Sequence, residues 1–171
     1  MRVTVCRYNI SCSRYPIRGD WPVTTTAARA ITVAVAAKNV DAAQRAVADA
    51  LLRATGSVEW VEQENLMDAV TAVSGSGPAY VFLLAEELAR AGVAAGLPAE
   101  LAARLARETV AGSGELLHRS ELPSATLRQN VTSPGGTTAA ALEVLMGKDG
   151  MQPLMIRAIA AATKRSKELA K

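Results

Sequence analysis

Apolar positions along the chain follow two different periods. Residues 31–36, Ile-Thr-Val-Ala-Val-Ala, set β-branched residues against alanines and predict a strand. Asp41 then reads as the N-cap of a helix whose apolar positions, Ala43, Val47, Ala50, Leu51 and Ala54, follow helical spacing up to Gly56. Residues 57–61 predict a second strand, so 30–63 has the pattern of a βαβ unit. From Asn65 onward the period is helical throughout. A short apolar stretch, 66–73, is expected to break at Ser74-Gly75-Ser76-Gly77-Pro78, with Pro78 in the first turn of the next helix. Helices are predicted over 79–95 (Val81, Leu84, Leu88, Ala91 and Ala95 on one side), 99–117, 123–130, 137–146 and 153–170. The last is basic toward its end, at Lys164, Arg165 and Lys167, which complements its dipole. Residues 1–29 show neither period: 1–6 can form a short strand, and the rest mixes Pro16, Gly19 and Pro22 without a pattern. The expected fold is mainly α, a helical bundle over 64–171 preceded by a short βαβ piece and an irregular front end.

The stretch most suggestive of chemistry is Val131-Thr132-Ser133-Pro134-Gly135-Gly136-Thr137-Thr138, followed at once by an apolar helix. A helix start leaves N–H groups without intrahelical partners, at the positive end of the macrodipole. Gly135 and Gly136 let a ligand approach the main chain, and Pro134 fixes one φ angle. Ser133, Thr137 and Thr138 add hydroxyls that donate or accept. No Lys follows the glycines, so this is not a triphosphate loop, and the turn suits a small anion. The alternative is that Ser133 or Thr132 is an ordinary N-cap and the glycines only make a turn.

Composition narrows the choice. Half of the 171 residues are apolar but only 4% are aromatic, and beyond Trp60 the aromatics are Tyr80 and Phe82. Small side chains bury little area each, so such a bundle is expected to gain burial by associating with a copy of itself. Residues 1–29 hold five of the 19 basic side chains and one of the 16 acidic ones, leaving 14 and 15 for the rest, so the basic balance belongs to the front end. The body has neither the basic face nor the stacking aromatics of a nucleic-acid binder. Cys6 and Cys12 stand far from the sole histidine, His118, so no metal spacing arises, and two reduced thiols are expected. The longest uncharged apolar run, 30–37, is far shorter than the roughly 20 residues of a bilayer span, and no secretory signal is evident, which gives a cytoplasmic expectation. Glu86, Glu87 and Glu100 read as solvated helix charges and His118 as an exposed helix end. No carboxylate pair or Ser/His/Asp set is spaced for hydrolysis.

VTSPGGTT at 131–138, taken with SGSGPAY at 74–80 and RSKEL at 165–169, resembles the C-terminal part of pyrroline-5-carboxylate reductase, over roughly 31–171. The resemblance implies reduction of 1-pyrroline-5-carboxylate to proline with NADPH or NADH. It implies that N–H groups around Gly136 and Thr137, in the turn made by Gly135 and with Ser133, hold the substrate carboxylate, and that the catalytic Thr138 hydroxyl contacts the ring nitrogen. It also implies a homodimer of interleaved helical domains. Its cofactor domain should open with a strand and a glycine-rich loop. Residues 1–29 contain only Gly19, so no cofactor-binding residue is identifiable and this front end reads as truncated, frameshifted or chimeric. SGSGP either lets helices pack closely or meets a second anionic group. Two alternatives stay open: an inactive module that binds proline and oligomerises, and an unrelated helical protein that binds a small anion.

Overall fold

The computed structural model describes residues 3–7, 10–13, 30–54 and 56–170. The predicted strand forms as β3 (Ala30–Ala36), and four consecutive residues, Thr32, Val33, Ala34 and Val35, are buried. Consecutive burial means that both faces of the strand are covered, as in the interior of a sheet. β4 (Gly56–Val61) lies parallel to it, in register from Ala30 opposite Gly56 to Val35 opposite Val61. On the other side β1 (Val3–Arg7) runs antiparallel, with Val3 opposite Ala36 and Arg7 opposite Thr32. β2 (Ile10–Ser13) pairs with β1 and completes the order β2-β1-β3-β4. β1 is the strand expected over 1–6, whereas β2 was not foreshadowed by any period. Pro16, Gly19 and Pro22 lie outside the described residues.

α1 (Ala42–Arg53) connects the two parallel strands. Asp41 caps it as predicted: Gln44 N–H donates to Asp41 Oδ1 at 2.8 Å, and Asp41 N–H donates to Gln44 Oε1 at 3.2 Å, a reciprocal capping box. α1 is held to β4 by Trp60, whose Nε1–H donates to Asp49 Oδ1 at 2.9 Å. Val33 and Val35 point away from that side and form a core with Met67, against which Val61 and Val70 pack.

A 3₁₀ turn (Glu64–Leu66) leads into α2 (Met67–Val70). The break expected at SGSGP takes a different form. The helix continues through a π turn (Thr71–Gly75), closed by Ser76 N–H donating to Thr71 O at 2.9 Å, and α3 (Gly77–Ala94) starts directly after it. One extra residue in the turn, rather than a loop, absorbs the glycines. The RSKEL segment finds its place here too, because Ser166 Oγ donates to Asp68 Oδ1 at 2.7 Å.

The other predicted helices form as α4 (Ala99–Arg119), α5 (Ser124–Asn130), α6 (Thr137–Leu145) and α7 (Met151–Leu169). The chain divides into two compact units, 1–78 with 158–171, and 79–157. In the second, α3 ends in a Schellman motif: Gly96, at φ 100°, gives its N–H to Val93 O, and Leu97 N–H reaches Gly92 O. A Cβ on Gly92 would lie 3.2 Å from Ala102 Cβ, so glycine permits close approach of α3 and α4. The side chains buried in this unit, Ala102 and Ala106, are small. Most of the large apolar residues of α3 remain exposed, and α3 and α4 bound an open trough of about 800 Å³ lined by Val81, Phe82, Arg104 and Val110. No described helix is long and apolar enough to cross a membrane.

Candidate functional site

α5 ends at Asn130 and α6 begins at Thr137, so the chain must reverse within the residues between them. Ser133, Pro134, Gly135 and Gly136 make that turn: Gly136 N–H donates to Ser133 O at 3.0 Å, and Gly135 sits at φ 67°. Pro at the second position and a left-handed glycine at the third are the residues a type II turn requires. Any other residue in place of Gly135 would be strained. Gly136 is constrained differently, since a Cβ there would meet Ser133 O at 3.1 Å.

Gly136 is the N-cap of α6, in extended conformation at φ −82° and ψ 175°, and no side chain caps the helix. Ala140 N–H is the first to enter the helical ladder, donating to Gly136 O at 3.2 Å. The N–H groups of Thr137, Thr138 and Ala139 therefore lead the helix without intrahelical acceptors. The ordinary-cap alternative for Ser133 or Thr132 fails on this geometry. The Thr132 hydroxyl points back and donates to Arg128 O at 2.7 Å, and Ser133 uses its carbonyl to close the turn. Ser133, Gly135, Thr137 and Thr138 are exposed and Gly136 is half-buried, so the turn presents a main-chain donor face with hydroxyls beside it. Such a face accepts a carboxylate-sized anion.

The other marked residues have surroundings of their own. Ser74 and Gly77 belong to the π turn and the start of α3, where Pro78 is buried and the Ser74 hydroxyl is buried without a hydrogen-bond partner among the described residues. A Cβ on Gly77 would meet nothing within 4 Å, so that glycine is not used for close packing among the described residues. His118 is an exposed helix end, and Arg119 beside it pairs with Glu115. Glu86 and Glu87 both pair with Arg90, at 2.7 and 2.9 Å, and Glu86 and Arg90 lie along the trough beside α4. The sequence pattern gave no hint that Thr132 holds the end of α5. A threonine two residues beyond a short helix carries that signal only once the end of the helix is known.

The family model of pyrroline-5-carboxylate reductase dimerisation matches residues 64–169, which include the π turn, the Ser-Pro-Gly-Gly turn and α6. The chain belongs to the pyrroline-5-carboxylate reductase family. It is 49% identical over 146 residues to the pyrroline-5-carboxylate reductase of Synechocystis sp., covering 85% of this chain and 54% of that one. The Pseudomonas aeruginosa reductase is 47% identical over 131 residues, 77% of this chain and 48% of the relative. Among solved structures, the Coxiella burnetii reductase superposes with a TM-score of 0.76 at 41% identity, covering 84% of this chain and 53% of that one. The Plasmodium falciparum reductase, solved with NADP bound, gives 0.67 at 34% identity over 84% and 54%. The chain thus spans about half the length of the reductases it matches.

A nicotinamide dinucleotide places its pyrophosphate on a glycine-rich turn at a helix N-terminus. The described βα turn, from β3 into α1, runs Ala37-Lys38-Asn39-Val40-Asp41 without glycine, and the Asp41 carboxylate already stands at the start of α1, accepting from Gln44 N–H. These residues do not fit a pyrophosphate: the anion would meet a carboxylate where it needs donors.

Proposed function

We propose that this chain is the part of a pyrroline-5-carboxylate reductase that seats the substrate and pairs with a second copy. Residues 64–171 carry both tasks, with 30–63 a remnant of the cofactor domain. One observation carries the reading: α6 begins with three leading N–H groups that no side chain caps among the described residues, presented by a tight turn through Gly135 and Gly136. Two oxygens of the pyrroline-5-carboxylate or proline carboxylate accept from Thr137, Thr138 and Ala139 N–H. The Ser133 hydroxyl donates alongside, and the Thr138 hydroxyl accepts from the protonated ring nitrogen. Hydrogen bonds to a charged group contribute about 1.5–3 kcal/mol each, enough to hold a small acid in one orientation. The chain's own share in catalysis is that orientation.

The hydride in this family reaction comes from a nicotinamide cofactor, NADPH or NADH, and the Plasmodium falciparum relative holds NADP. Because the capped α1 offers no pyrophosphate seat, the purified chain is expected to bind proline but to leave NADPH absorbance constant in the presence of pyrroline-5-carboxylate. The second copy follows from α3. A helix apolar on several sides belongs in an interior, yet Phe82 is 69% exposed and Leu83 53% within one chain.

Titration calorimetry with L-proline on the full chain tests the site. Saturable binding is expected, and Thr138→Ala should weaken it about tenfold, the worth of one hydrogen bond to an ionised group. No saturable heat with the wild-type chain, or unchanged affinity in Thr138→Ala, would remove the site or Thr138 from it.

A further inference from the structure

α5 has seven residues, and the carbonyls of its last turn lack helical partners. Thr132 takes two of them. Its N–H donates to Gln129 O at 3.0 Å and its hydroxyl to Arg128 O at 2.7 Å. The next carbonyl, that of Ser133, accepts from Gly136 N–H at 3.0 Å, and Gly136 O accepts from Ala140 N–H at 3.2 Å. Thr132, tied back to α5, is thus followed directly in the chain by Ser133, which closes the turn into α6, and among these hydrogen bonds the Thr132 hydroxyl is the one side-chain donor. All the other members are main-chain groups that any sequence would supply.

We propose that Thr132 is a positioning residue for the substrate carboxylate, an inference that rests on the carboxylate reading of the turn given above. Holding Thr132 against α5 fixes the position from which Ser133 starts, and with it where the Ser133 carbonyl enters the turn. Ser133 O in turn fixes Gly136, whose approach is so tight that a Cβ would lie 3.1 Å from that oxygen. Rotation at this point swings the N–H groups of Thr137, Thr138 and Ala139 together, so one hydroxyl controls the aim of the donor face. Thr132 never touches the ligand in this arrangement. Its hydroxyl faces back along α5.

Thr132→Val keeps the volume and branching of the side chain and removes only the donor. Arg128 is exposed, so water replaces the lost partner and the global melting temperature should not move. The full chain is examined by two measurements: amide exchange at Gly136 by NMR, and L-proline affinity by calorimetry. In Thr132→Val, exchange at Gly136 should quicken about tenfold and the proline dissociation constant should rise about tenfold, while Thr132→Ser behaves as wild type in both. Wild-type exchange in Thr132→Val overturns the proposal whatever proline does, and so does a Thr132→Ser variant that behaves like Thr132→Val. If Thr132→Val quickens exchange but the wild-type chain binds no proline, the carboxylate reading alone fails, and the hold of Thr132 on the turn stands.

Discussion

The sheet and the helical unit 79–157 spend their apolar residues in opposite ways. In β3 every residue from Thr32 to Val35 is buried, and the strand finds its cover within the chain, from β1 and β4 beside it and from Met67, Val61 and Val70. In the helical unit the large side chains stay in water: Phe82 on α3 is 69% exposed and Val144 on α6 is 76% exposed. Equal hydrophobicity in a sequence therefore does not mean equal burial in one chain. The sheet's pattern is answered by its own chain, whereas the apolar residues of α3 stay exposed. Residues 64–169 match a dimerisation family, which is why a second copy is proposed as their cover.

The sharpest way to break this contrast is a charge on α3. Phe82→Asp should leave the single chain folded, because the residue is exposed there. In a dimer it would place a carboxylate in an apolar contact, at a cost on the order of 3 kcal/mol or more, and raise the dimer dissociation constant a hundredfold or more. Sedimentation equilibrium reads this directly. If Phe82→Asp assembles like the wild type, α3 is not the shared surface. If the wild-type chain is a monomer at micromolar concentration, the contrast between the units needs another cause.

How much of this was legible in the sequence depends on how local each decision is. The Asp41 cap, the end of the helix predicted over 79–95 and the Pro-Gly signature of the 133–136 turn are decided by a few neighbouring residues, and they are found where the pattern puts them. β2 was illegible because a four-residue strand exists only through its pairing with β1. SGSGP misled because glycines and serines usually announce a loop, whereas here a π turn carries the helix through them to Ser76. At the candidate site the turn could be read, but not the absence of a side-chain cap. That absence depends on where α5 ends, which sends the Thr132 hydroxyl back to Arg128 instead of forward to α6.

A smaller effect sharpens the sheet side. Thr32 is fully buried on β3, yet its hydroxyl has no hydrogen-bond partner among the described residues. A buried polar group left unpaired carries a desolvation penalty without the return of a hydrogen bond. Thr32→Val keeps the shape and the β-branch that suits a strand, so it should stabilise the fold by about 1 kcal/mol. Urea unfolding compares the two chains. A loss of stability in Thr32→Val would mean that the hydroxyl has a partner in solution and that the β3 interior is wetter than its burial implies.

The smallest expected effect concerns how α1 is fastened to the sheet. Arg53 Nε donates to Asp49 Oδ2 at 2.6 Å, Trp60 Nε1 donates to Oδ1 at 2.9 Å, and the Arg45 guanidinium lies 4.6 Å from the Trp60 ring centroid. The hydrogen bond from Arg53, then that from Trp60, hold the Asp49 carboxyl below the usual carboxylate range against a weaker opposing push from burial. A carboxyl whose folded-state value is depressed gives its full stabilisation above the unfolded value, near pH 4, and loses it as the pH falls through the folded value. The pair faces water, so solvent screening keeps the contribution small. Asp49→Asn should therefore unfold like the wild type in acid below the depressed value, and fall slightly below it at neutral pH, narrowing the acid limb of a urea-midpoint profile. A profile of unchanged shape in Asp49→Asn would mean that Trp60 is held by packing alone. The sheet would then close on α1 without help from the Asp49 carboxylate.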